Sequence, residues 1–521
     1  MKKIFLITAT AVSLASCSLD DNLSSNDPAL EQLTPALMLA GAETQSYDAQ
    51  TTDLMLLSNV WMNCWAGNEY YFAAPLNTEY QMNLTSNFRN GIWNDNYIAM
   101  GKLANIINSE HAADYPHHVA IAEILLANSM QYIVDFYGDA PFSEAFKLSQ
   151  NLTPKYDKGE DIYKNLVEML NDALVKLDEN TLNTVGGEDV ILHGDTDSWK
   201  QVANTFKLRL LLRQSKVTDS DIRSYVDAEL ASLADESFVT SDITINPGYS
   251  SANEVQQNPL IREYGWLTYD DSANNTYGYR YVGHISDHLA KLLNGENANT
   301  GTVDPRRSIM YRPISGKLVG IVQGGGKVSG GAEALFSRLR WNFYNYSSAT
   351  SGISGFIVTV AEAELLQAEA AVLYPSIFTD AETHYNNAVN ASFEFYWNGE
   401  AYSFSPATVS GYSSASAAAS TYLANLSTSP YGWNGSAGKI AAIQYQRMIA
   451  LNMIKPQETY VNYLKTGYPE TPLALTAIQS NKPYRLMYPS SEYNSNSANV
   501  IDVSAAQCFT KNEYTPFWNR N

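Results

Sequence analysis

Tyr137-Gly-Asp-Ala-Pro-Phe-Ser-Glu-Ala-Phe146 is the stretch from which the surrounding fold is read. Gly138 and Pro141 mark a turn after a helix, because glycine tolerates the positive φ that closes a helix and proline holds φ near roughly −65°. Upstream, residues 117 to 136 place Ile121, Ile124, Leu125, Tyr132 and Phe136 at spacings near three and four. Downstream, residues 160 to 178 repeat the pattern through Ile162, Leu166, Met169, Leu170, Ala173 and Leu177. Both runs predict amphipathic helices.

Further out, Asp197 is placed to cap a helix whose inner face is Trp199, Val202, Ala203, Phe206 and Leu210, with Lys207, Arg209 and Arg213 elsewhere on the same helix. Residues 359 to 373 carry Ala361, Leu365, Ala368 and Val372, and residues 380 to 393 carry Ala381, Tyr385 and Ala388. Small residues at these spacings let two helices approach closely, and Ala-x3-Tyr-x2-Ala resembles the second helix of a tetratricopeptide unit, although no strict 34-residue period runs through the chain. Another helix, 439 to 454, follows the Gly-Trp-Asn-Gly loop at 432 to 435 and is expected to stop at Pro456. The predicted class is mainly α. Between the helices lie segments rich in Gly, Ser, Asn, Thr and Tyr, at 66 to 90, 240 to 283, 311 to 355, 395 to 437 and 466 to 521. Loops of that length are functional or disordered, and their aromatic content argues against disorder.

At the start, Lys2 and Lys3 precede an apolar run from Ile4 to Leu14, and Leu14-Ala15-Ser16-Cys17 has the small-residue pattern of a lipoprotein cleavage site. Residues 1 to 16 read as a signal peptide, Cys17 as the lipid attachment site and residues 17 to 30 as a flexible tether to one 17 to 521 domain; the alternative is an ordinary secretory signal with a chance cysteine. Two or more acyl chains anchor stably where one holds weakly. Ser18-Leu19-Asp20-Asp21 resembles the acidic export tags of Bacteroidetes surface lipoproteins. No segment reads as long and apolar enough to span a bilayer.

The formal charge is −21, which repels phosphate backbones and argues against a nucleic-acid ligand. With Cys17 acylated, Cys64 and Cys508 remain; they read as two buried thiols, with a disulfide between them as the alternative. Tyrosine is abundant, 35 against 17 Phe and 9 Trp, and a rigid ring with one polar handle suits a binding face.

The Tyr137 to Phe146 phrase closely resembles the "YGDVPYSEAF" signature of the SusD/RagB family of nutrient-binding outer-membrane lipoproteins, in its second SusD-like branch. Further pieces follow in the family's order: Asn26-Asp-Pro28, Thr34-Pro-Ala-Leu-Met-Leu-Ala40, Trp199 to Arg209, Asp304-Pro-Arg306, Ala361 to Ala371, Thr466-Gly-Tyr-Pro469, Arg485-Leu-Met-Tyr-Pro489 and Glu492-Tyr-Asn494. Ile443 to Ile449 and Lys455 to Tyr460 depart from it, where relatives tend to have Gln-Lys-Trp and Glu-Ala-Trp. The resemblance implies tetratricopeptide-like helix pairs forming a scaffold, a loop-rich ligand-binding remainder, and a SusC-like TonB-dependent transporter over which the lipoprotein lies as a lid. Gly138, Pro141, Asn204, Arg209, Asp304 and Arg306 are expected to serve structure rather than ligand.

Binding a sugar takes flat rings for its C–H faces and polar neighbours for its hydroxyls. Candidate ligand residues are Trp61, Trp65, Tyr70 and Tyr71 in the first aromatic cluster, Trp266, Tyr277 and Tyr279 in the second, and Trp341 and Tyr344 in the third. A fourth set, Trp397 to Tyr402 with Tyr431 to Asn434, is a candidate for the barrel interface. Oligopeptides are the alternative ligand, and a surface glycosidase or peptidase a weaker reading: no carboxylate pair stands out, Gly324-Gly-Gly-Lys327 lacks the P-loop pattern, and no GxSxG elbow occurs. No cofactor is expected. His284 and His288 have helical metal-pair spacing without a third ligand, and a structural calcium ion has no motif behind it.

Overall fold

The computed structural model describes residues 33–67, 76–147, 150–250, 252, 254–264, 283–296, 301–326, 335–339, 353–398 and 411–520. The signal peptide, Cys17, the tether and the Asn26 to Pro28 motif lie outside them. The main helices are α1 Pro35–Thr51, α2 Asp53–Trp61, α3 Gly91–Ile107, α4 Pro116–Tyr137, α5 Gly159–Leu177, α6 Thr196–Arg213, α7 Ser220–Ala231, α8 Asp287–Leu293, α9 Val360–Leu373, α10 Ala381–Asn398, α11 Ala415–Leu426, α12 Lys439–Leu451 and α13 Pro456–Thr466. Neighbours in sequence pack as pairs, α4 on α5, α9 on α10, α10 on α11 and α12 on α13, while α6 meets α9 and α13 meets α2 across long sequence separations. Pro456 starts α13 rather than closing α12, which ends at Leu451.

Helix α5 follows its periodicity, burying Ile162, Leu166, Leu170, Ala173 and Leu177. Helix α4 is buried from His118 to Tyr137 on every side. It is long and apolar enough to cross a bilayer, with mean hydropathy 1.3 over an 18-residue window that is wholly buried. This corrects the expectation that no segment passes that test; packing on α3, α5 and α6 accounts for its apolarity. Around α9 to α12 a smaller second core gathers Ala361, Leu365, Ala368, Tyr385, Phe393, Tyr422 and Trp433.

The signature phrase is a turn, as expected. Gly138 closes α4 at φ 80°, ψ −127°, donating its N–H to Val134 O at 2.8 Å, and a Cβ there would meet Tyr514 O at 2.9 Å. Among the short strands are β1 Trp65–Ala66, β2 Ala140–Pro141, β3 Tyr156–Asp157, β4 Ile243–Ile245 and β5 His284–Ile285; the turn leads into β2, which pairs antiparallel with β3. Asp139 accepts the Gly159 N–H at the start of α5, and Asp157 Oδ2 accepts the N–H groups of Phe142 and Ser143.

Helix α6 departs from expectation at its cap. Its cap is Asp195, which accepts from Ser198 N, and Asp197 lies inside the first turn. Lys207, Arg209 and Arg213 face inward and are buried. Arg209 donates to Glu362 Oε1 at 2.9 Å, Gln131 Oε1 at 3.0 Å and Asn128 Oδ1 at 2.5 Å. Arg213 donates to Glu458 Oε2 at 2.9 Å and lies 3.4 Å from Asp135 Oδ2. Nearby, Glu369 takes Arg447 at 3.1 Å and Lys465, and Lys455 lies 3.7 Å from Glu362 Oε2. Buried charges persist only where each is paired, so this network joins α4, α6, α9, α12 and α13 in one arrangement. Asn204 bonds Ser237 O at 3.1 Å, and Arg306 pairs with buried Asp304 at 2.7 Å, both as expected of structural residues.

Candidate functional site

Strand β5, His284–Ile285, organises the region where the aromatic segments begin and end. It pairs antiparallel with β1, Trp65–Ala66, in the register Trp65 to Ile285 and Ala66 to His284. On its other side Ile285 N donates to Ser337 O at 3.2 Å, Leu339 N to Gly283 O at 2.9 Å and Ile321 N to Ile285 O at 3.0 Å. Gly320 lets this last segment close in, since a Cβ on it would lie 2.2 Å from Ser286 O. Gln323 Nε2 ties the knot to the first helices through Val60 O at 2.8 Å and Trp65 O at 2.7 Å.

Three of the aromatic clusters are thereby rooted together. Segment 68–75 follows Gly67, segment 265–282 leads into Gly283, and segment 340–352 follows Leu339. Tyr70, Tyr71, Trp266, Tyr277, Tyr279, Trp341 and Tyr344 lie on these segments, outside the described residues. Their separations in sequence run to hundreds of positions, and only strand pairing brings their flanks within hydrogen-bond distance.

Trp61 and Trp65 are a correction. Both are core residues, 4% and 0% exposed, and neither presents a free ring face. Trp61 stacks on Phe88 at 5.8 Å and gives its N–H to Glu79 O at 3.1 Å. Trp65 sits edge-on to Tyr264 at 5.3 Å and donates to Tyr311 OH at 3.1 Å. Beside Trp61 lies a small cleft lined also by Glu79, Tyr80, Gln323 and Pro472. Of the fourth set, Trp433 is a second-core residue against Tyr385 at 5.0 Å, Tyr431 lies on Tyr445 at 4.2 Å, and Tyr402 is outside the described residues.

His284 and His288 do not share a helix, since His284 is in β5 and His288 in α8; the helical-pair geometry is absent. Burial, reinforced by Lys482, pushes His288 down to about 4. No group of three His, Cys, Asp or Glu side chains is placed to hold a metal among the described residues. Cys64 and Cys508 are buried free thiols, and burial pushes Cys64 up to about 12, far from the thiolate that redox chemistry uses.

Residues 26–489 match the family "SusD-like_2: Starch-binding associating with outer membrane". Among solved structures, a "chitin-binding protein" is similar at TM-score 0.71 and 22% identity, covering 94% of this chain and 100% of its own. A chitin-binding SusD homolog from Flavobacterium johnsoniae gives 0.67 and 19%, covering 92% and 98%. A SusD/RagB family protein from Bacteroides thetaiotaomicron gives 0.68 and 20%, covering 94% and 98%. No curated protein matches the chain. The helical scaffold, the structural roles of the signature residues and the family match over most of the sequence lead to one conclusion: this chain belongs to the SusD/RagB family, in its SusD-like branch.

Proposed function

We propose that the protein is a lipid-anchored lipoprotein of the cell surface that captures an oligosaccharide and passes it to a SusC-like TonB-dependent outer-membrane transporter, over which it acts as a lid. The observation that carries this reading is the shared root of three aromatic-rich segments on the β1–β5 knot, which supports a composite platform in which several rings cooperate. Single ring contacts contribute about 0.5–1.5 kcal/mol, so capture at useful affinity needs more than one segment. The family description and the chitin-binding relatives support a glycan as the ligand. The mechanism is binding and gating with no bond made or broken, and the transport energy comes from the partner. Cys17 supplies the anchor.

Calorimetry of the soluble chain from residue 18 against glycan and peptide panels tests this. Saturable binding of one oligosaccharide class without turnover is the expected result. Binding of peptides alone would replace the glycan reading, and released product would replace capture with catalysis. Alanine at Trp266, Tyr277, Tyr279, Trp341 and Tyr344 together is expected to abolish binding with the melting temperature retained; unchanged affinity would overturn the platform assignment.

A further inference from the structure

Outside the proposed site, three helices bring together a lysine, an asparagine and a glutamate. Lys207 of α6 is nearly enclosed, its side chain 5% exposed, and its Nζ lies 2.7 Å from Glu229 Oε2 of α7. The same Nζ is 2.8 Å from Asn171 Oδ1 of α5. Asn171 Nδ2 in turn lies 3.2 Å from that same Glu229 Oε2, and Ser232 Oγ holds Nζ from a further side at 2.9 Å. One carboxylate oxygen therefore touches both the amine and the amide nitrogen, and the amine faces the amide carbonyl group. With a C=O bond of about 1.23 Å, an amine at this distance from Oδ1 is roughly 3–4 Å from Cγ. That range reaches the ~3–3.5 Å of a near-attack arrangement.

We propose that Lys207 and Asn171 join in an intramolecular isopeptide bond, with Glu229 as the catalytic residue that moves the proton between the two nitrogens. Glu229 takes a proton from the Lys207 ammonium, and the freed electron pair attacks Asn171 Cγ as the carbonyl electrons move to Oδ1. Glu229 then protonates Nδ2 and takes the remaining excess proton from the attacking nitrogen. Collapse of the tetrahedral carbon restores the carbonyl, breaks the Cγ–Nδ2 bond and releases ammonia, which leaves as ammonium with the proton from Glu229. No oxidant or co-reactant enters. An ion pair between Lys207 and Glu229 explains two of the three groups; the carboxamide held against both of them is what the ion pair leaves unexplained. The product would tie α5 to α6 covalently in a protein whose Cys64 and Cys508 are unpaired.

Mass spectrometry of the full chain, with tryptic mapping after incubation to constant mass, tests the bond. The expected result is a loss of one ammonia and a branched peptide joining residues 165–176 to residues 201–209, with Lys207 uncleaved. Glu229→Gln should keep the fold by circular dichroism and show the unreacted mass, Lys207→Arg should do the same while keeping a cation at this position, and Asn171→Asp should lose water instead of ammonia. Full recovery of linear 165–176 and 201–207 from the folded wild-type protein would overturn the proposal, as would a branched peptide that persists in Glu229→Gln.

Discussion

Glu369 lies fully buried, bonded by Gln444 at 3.0 Å and paired with Arg447 and Lys465. Burial alone would raise its pKa, but the two cations overcome that and hold it down to about 2. A folded value below the unfolded 4.5 means stability that is present above pH 4.5 and lost as pH falls toward 2, worth about 3 kcal/mol. Urea midpoints measured from about pH 6 to pH 2 should fall accordingly; Glu369→Gln should flatten that slope and cost about 3–5 kcal/mol at neutral pH by stranding Lys465 and Arg447. Glu43 works in the opposite sense. Burial and neighbouring Asp189 push Glu43 well up, and the Asp189 carboxyl accepts from the N–H groups of Ile191, Leu192, Gly194 and Trp199. The contribution of Glu43 is complete below its unfolded value and is lost as pH rises through the folded one, so Glu43→Gln should gain on the wild type in alkaline denaturation. Gly138 is a third case: its φ and ψ lie where only glycine is at ease, and Gly138→Ala should cost about 1–3 kcal/mol in the same assay, plus the overlap with Tyr514 O.

Among the elements, α6 carries the packing argument. Its apolar face is legible at Trp199, Val202, Phe206 and Leu210, and Arg209 is legible as a structural residue, but periodicity sorts residues by polarity and so does not show the inward turn that Arg209 shares with Arg213. Their acids, Asp135, Glu362 and Glu458, lie elsewhere in the chain, and Arg209→Met should cost about 3–5 kcal/mol in thermal or urea unfolding. By contrast, Asp219, which caps α7 by accepting from Asp221 N and Ile222 N, should cost about 1 kcal/mol as Asp219→Ala. Helix α1 escaped prediction for a related reason: the side it buries includes Glu43, Ser46 and Gln50, and Ser46 and Gln50 are satisfied by Ser129 of α4, each at 3.2 Å. Helix α11, Ala- and Ser-rich, lies in a segment whose composition reads as loop, because its small side chains carry little hydrophobic signal until α10 closes on them.

At the scale of the whole molecule, scaffold and proposed platform are separable. The ionic network lies in the helices, and the β knot, whose Trp65, Ile285 and Leu339 belong to the main core, holds the described flanks of the segments on which the candidate rings lie. Replacing residues 265–282 with a Gly/Ser linker should therefore leave the melting temperature within a few degrees and abolish glycan binding. Binding of a neutral sugar should also be insensitive to salt, whereas a cationic peptide drawn by the −21 charge should weaken steeply as salt is raised.

Local chemistry was enough to read the mainly α class, the turn at Gly138, most of the long helices and the structural duty of Asp304 and Arg306, because each rests on residues close in sequence whose spacing or backbone demands show in the sequence itself. Trp61 and Trp65 carried no such signal. An indole is equally suited to a sugar face and to a core, and which it serves depends on whether Phe88, Tyr460 and Tyr264 cover it. Only the tertiary structure decided that, as it decided the convergence of Gly67, Gly283 and Leu339 and the meeting of Lys207 with Asn171 and Glu229, because long-range pairing is set by how the whole chain packs.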